Sequence, residues 1–118
     1  MKTQTKLKQN PQLKDYQEYI KQITIERGWD KNSPLEIFLL FSEEVGELAK
    51  AIRNKYRLYH ETGKKYNPNE LEEEIADVFS YILDLANVFD IDLETAFRKK
   101  EKKNANRVWV NNKIKKLD

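Results

Sequence analysis

Apolar residues recur every three or four positions along most of the chain, the periodicity of amphipathic helices, and they separate into four stretches. The first runs from about Gln12 to Arg27, with Pro11 to open it and Gly28 to stop it. The second follows Ser33-Pro34, an N-cap residue and a proline suited to the first helical position, and continues to about Tyr56. The segment Glu61–Asn69 carries Gly63 and Pro68 and reads as a loop. The third helix is predicted from near Asn69 to about Phe89, with Glu70, Glu72, Glu73 and Glu74 at the positive end of its dipole. The fourth follows Asp92 and Thr95 and extends to at least Asn106. The pattern is all-α and four-helix-bundle-like, with no internal repeat and no Gly- or Ser-rich linker.

Projected at about 100° per residue, Ile37, Phe41, Val45, Leu48 and Ile52 make one apolar stripe on the second helix. Glu44 falls at its edge and Glu47 one turn on, while Glu43 sits further round. On the third helix the stripe is Leu71, Ile75, Val78, Ile82 and Leu85, flanked by Glu74, Asp77 and then Tyr81. Carboxylates three apart lie on one helix face, so an antiparallel pairing of the two helices brings four acids to their seam. One Glu-x-x-Glu on a charged helix is ordinarily a solvated face. Two such pairs, each beside a core stripe, ask for a cation, because clustered carboxylates repel one another and lose their charge unless compensated. Oxygen donors suit Mg²⁺ or Mn²⁺. A ferritin-like di-iron site needs Glu-x-x-His twice, and His60 is the only histidine.

The chain has 118 residues, the size of one domain, so residues 1–118 are expected to form a single unit with tails at 1–11 and 110–118. There is no cysteine, which excludes disulfides, thiolate zinc sites and thiol nucleophiles. No apolar run approaches the roughly 18 residues of a membrane span, and the basic N-terminus has no apolar stretch behind it, so a cytoplasmic location is expected. A net charge of +2 argues against a nucleic-acid partner. The charge is nonetheless uneven. From Arg98 onward nine basic residues face two acids, a net +7, which leaves −5 for the first 97 residues. In the fourth helix Lys100, Lys103, Asn104 and Arg107 stand at i, i+3, i+4 and i+7, on one face.

SEEVGELAKAIR at 42–53, LEEEIADVFSYIL at 71–83 and the basic set Lys100, Lys103, Asn104 and Arg107 together resemble the MazG-like all-α nucleoside triphosphate pyrophosphohydrolases. ERGWDKNSP at 26–34 resembles that family's segment ahead of the second helix. The resemblance covers roughly residues 12–109. It implies cleavage of a (d)NTP to a (d)NMP and pyrophosphate, with Mg²⁺ as the cofactor and Mn²⁺ able to substitute. It further implies metal ligation by Glu44, Glu47, Glu74 and Asp77, and a role for Glu43 in orienting the attacking water or binding a further ion. Tyr81, Lys100, Lys103, Asn104 and Arg107 would face phosphate, and Trp29 would lie against the base or sugar. A homodimer or homotetramer is implied as well. The run Ile37–Phe41 independently argues for assembly, since four short helices leave apolar surface a monomer would expose. Two other readings stay open on the sequence: a phosphoribosyl-ATP pyrophosphohydrolase-like enzyme, and a non-catalytic helical interaction module.

Overall fold

The computed structural model describes residues 2–111, in which four helices and no strands are present. They are α1 (Leu13–Glu26), α2 (Pro34–Lys55), α3 (Glu70–Val88) and α4 (Leu93–Ala105). Their starts follow local chemistry. Ser33 accepts the Glu36 amide while the Glu36 carboxylate accepts the Ser33 amide, a capping box with Pro34 inside it. Asp92 accepts the Thr95 amide at 2.8 Å to open α4. The first helix starts two residues past Pro11, where Gln12 and Asp15 cap it reciprocally.

Three helices end in Schellman motifs. After α1, Gly28 takes φ +73° and the Trp29 amide reaches back to the Thr24 carbonyl at 2.7 Å. After α2 and α3 the left-handed position is held by Arg57 and Asp90, so glycine marks only the first of these ends.

The core is small. Ile20 and Ile23 of α1 pack on Leu83 of α3, which is 1% exposed, with Leu13, Tyr16, Tyr19 and Leu93 around them. Tyr16 also meets Phe79 edge-on at 5.6 Å between centroids. The long antiparallel hairpin of α2 and α3 is the main pairing, and α1 packs on α3. Gln17, buried in α1, fastens the turn between α3 and α4. Its amide donates to the Ile91 carbonyl and to Asn87 Oδ1 and accepts from the Leu93 amide, while Asn87 donates back to the Gln17 carbonyl. Burying a glutamine is tolerated because both ends of its amide are bonded.

Two expectations change. The inward stripe of α2 is turned from the one projected: Ile37 and Ala51 are buried and Leu40, Glu44 and Leu48 half-buried, whereas Phe38, Val45 and Ile52 are exposed at a spacing of seven. The helix is apolar on two sides, and its own chain covers one. Nor does α4 complete a bundle. It packs on α1 near its start, buries no residue, and leaves Phe97 68% exposed. Beyond Leu93, Ala96 and Phe97 its only apolar residue is Ala105, at the far end. The radius of gyration is 18.6 Å, against about 13.5 Å for a compact chain of this length.

The segment expected as an N-terminal tail is fastened. It runs back along α1, with Gln4 and Thr5 bonded to the Glu26 carboxylate, Thr3 accepting from Arg27, and Lys8 paired with Asp15 at 3.5 Å. The other expected tail, 110–118, lies mostly outside the described residues. No helix among those described is long and apolar enough to cross a membrane.

Candidate active site

The antiparallel α2–α3 hairpin sets the site. Near its loop end Asn54 donates to the Glu70 carboxylate at 3.3 Å, which fixes the register of the two helices. One result is that Glu44, Glu74 and Asp77 each bring a carboxylate oxygen within 4.8 Å of the others. Glu44 and Glu74 are half-buried in the seam and Asp77 is at its open edge.

The electrostatics of this trio are unfavourable as it stands. Burial pushes the Glu44 carboxyl up to about 7, helped by a hydrogen bond to Glu74 and by the negative charge of Asp77, Glu74 and Glu43. Glu74 Oε2 is enclosed and has no hydrogen-bond partner among the described residues, a costly condition for a carboxylate oxygen. Converging oxygen donors, one of them orphaned, suit a hard divalent cation. The Tyr81 hydroxyl, one turn past Asp77, is held above its ordinary pKa by burial and by the charges of Glu44, Asp84 and Asp77, so it stays a proton donor.

Glu44 and Asp77 line a cleft of about 360 Å³ that continues between α1 and the hairpin. Ile20, Ile23 and Leu40 give it an apolar wall, and Trp29 closes one side. Trp29 is 52% exposed and carries the Arg27 guanidinium over one face, 4.9 Å from the ring centroid. The Schellman turn at Gly28 places it there. A second concavity, about 440 Å³ at the α2–α3 loop, is rimmed by Arg53, Arg57, Lys64 and Lys65.

The remaining sequence candidates stand apart. Glu47 and Glu43 are exposed, and neither joins the three-acid set. Glu47 stands seven residues past Leu40 and four before Ala51, on the same flank of α2, but its side chain is exposed. Lys100, Lys103, Asn104 and Arg107 do not line the cleft, because α4 departs from the hairpin. Sequence reasoning passed over Arg27, Asn32, Ser80 and Asp84, which do line it. For Ser80 and Asp84 a signal existed: with Asp77 and Tyr81 they sit at i, i+3, i+4 and i+7 of one helix face.

Comparison with known proteins places this architecture. Residues 32–109 match the model of the MazG nucleotide pyrophosphohydrolase domain. The chain belongs to that family. Among its relatives in Bacillus subtilis (strain 168), the uncharacterised protein YvdC is 31% identical over 98 residues, covering 78% of this chain and 92% of YvdC. YpjD of the same organism is 41% identical over 66 residues, 54% of this chain and 57% of YpjD. The crystal structure of Bacillus subtilis YpjD, provisionally assigned as a pyrophosphatase, superimposes with a TM-score of 0.70 at 30% identity over 86% of this chain and all of that one. The all-α fold and the family together support a nucleotide pyrophosphohydrolase, and the acidic trio fits the divalent metal such domains usually use.

Proposed function

We propose that this chain hydrolyses nucleoside triphosphates to a nucleoside monophosphate and pyrophosphate with Mg²⁺, Mn²⁺ being able to substitute. The observation that carries the reading is the meeting of Glu44, Glu74 and Asp77 beside a nucleotide-sized cleft that Glu44 and Asp77 line. These three would hold the metal, with Glu47 as a further ligand once its side chain swings inward. The ion would offset the charge of the triphosphate and acidify a water.

The protein's own groups do the rest. Glu43, beside the trio, orients the water whose oxygen attacks the α-phosphorus; the bond to the α–β bridging oxygen breaks and pyrophosphate departs. Tyr81 donates its hydroxyl proton toward phosphate. Lys100, Lys103, Asn104 and Arg107 offset charge that grows on the departing group. In one copy they do not reach the cleft, and the exposed apolar spacing Phe38, Val45, Ile52 supports a homodimer or homotetramer in which sites form near subunit contacts. Trp29 stacks on the base or sugar with its free face. The chain acts as a single domain in a cytoplasmic setting.

A pyrophosphate-release screen across canonical and modified (d)NTPs, with Mg²⁺, with Mn²⁺ and with chelator, tests this. Metal-dependent release that disappears in Glu74→Gln is expected. Absence of release from every triphosphate, in a protein that folds and binds Mg²⁺, would overturn it.

A further inference from the structure

Within the cleft, α3 presents a carboxylate that the reaction does not use. Asp84 lies two helical turns beyond Asp77 on the same face, about 10 Å along the axis, with Ser80 and Tyr81 between them. It is half-buried, held above its ordinary pKa by that burial, and makes no ion pair or hydrogen bond among the described residues. The same cleft is lined by the apolar side chains of Ile20, Ile23 and Leu40 and by Asn32 and Trp29. An unpartnered carboxylate in an apolar pocket wants N–H donors.

The order along α3 has the order of a nucleotide. Acids for the phosphate end come first, then Tyr81 and Ser80, then Asp84 where a base would end. Resting on the pyrophosphohydrolase reading, we infer that Asp84 is a specificity-determining residue that selects guanine, accepting from its ring N1–H and its 2-amino group with the two carboxylate oxygens. The chemistry of the bases makes the choice. Guanine alone of the common bases presents two adjacent donors. Adenine and cytosine place a ring-nitrogen lone pair beside their amino group, and uracil flanks its N–H with two carbonyls, so a carboxylate facing any of them meets repulsion. The Asn32 amide can donate to the guanine carbonyl, and the free face of Trp29 can stack on the purine.

The test compares guanosine, inosine, adenosine, cytidine and uridine triphosphates by kcat/KM with Mg²⁺, and the corresponding monophosphates by equilibrium binding in chelator, in the wild type and in Asp84→Asn. Inosine differs from guanosine only by lacking the 2-amino group. Guanosine is expected to lead, and inosine to trail it by about tenfold in both measurements, the loss of one hydrogen bond to a charged acceptor. In Asp84→Asn that gap should shrink to within about twofold. A gap of the same size in the variant, an equal loss for every base as a structural role would give, or a wild-type profile that does not separate guanosine from inosine overturns the assignment. Binding without turnover of any triphosphate refutes the pyrophosphohydrolase reading instead, while the monophosphate series still judges Asp84.

Discussion

Glu44, Glu74 and Asp77 meet within one chain, whereas Lys100, Lys103, Asn104 and Arg107 share one helix face and reach no part of the cleft. Both sets stand at helical spacing in the sequence, and both fall within the residues matched by the family. The acids lie on consecutive antiparallel helices whose register is fixed by apolar packing and by Asn54 on Glu70. The bases lie on a helix with almost nothing apolar to dock, attached to the rest through its first turn. Local pairing therefore brings the acids together, while the basic face stays apart from them within this chain.

The largest effect should come from the acids. Glu74→Gln or Asp77→Asn is expected to lower pyrophosphate release by about 10³-fold or more and to abolish Mg²⁺ binding in calorimetry; turnover and metal binding near wild type in either variant would place the metal elsewhere. Arg107→Ala or Lys103→Ala should cost about 10- to 100-fold in kcat/KM, the range of losing one charged contact to a phosphate. Mixing an inactive Glu74→Gln chain with the weakened Arg107→Ala chain sharpens the contrast. Activity rises above that of Arg107→Ala alone only if one site takes its acids and its bases from different copies, and does not rise if both come from one chain.

Next in size is assembly. Phe38→Asp or Ile52→Asp, which places a charge on the exposed stripe of α2, should shift the protein toward monomer in light scattering and lower activity alongside; an unchanged mass would show that this face is not the contact.

The smallest effect is on stability. Glu44 is held near 7 in the fold against 4.5 when free, so folding favours its protonated form. The metal-free protein should have this contribution in full below about pH 4.5 and lose it as pH rises to about 7. Glu44→Gln should flatten that slope and raise the metal-free melting temperature at pH 8 by a few degrees, on the order of 1 kcal/mol. Mg²⁺ should stabilise the wild type and not the variant.

How much of this could be read from the chain alone depended on range. Helix starts at Ser33-Pro34 and Asp92 were legible because their caps are bonded to residues three positions on. The ends at Arg57 and Asp90 were less so, since residues other than glycine hold the left-handed position there. The helical content of α2 and α3 was clear, but their rotation was not: Val45 and Glu44 both border apolar rows, and periodicity does not say which row faces the partner helix. The proximity of Glu74 to Asp77 followed from i, i+3 spacing. The exclusion of Glu47 from the trio, and the place of Asp84 in a cleft walled by α1, required the packing itself.

Gln17 has one more implication. It is the hinge pin where a rod of 13 residues is mounted, and that rod is about 20 Å long. A tilt of about 10° at the pin sweeps Arg107 through some 3–4 Å by the same geometry. A substitution at this one buried amide would therefore be felt at the distant tip of α4, with the carboxylates in the seam left where they are.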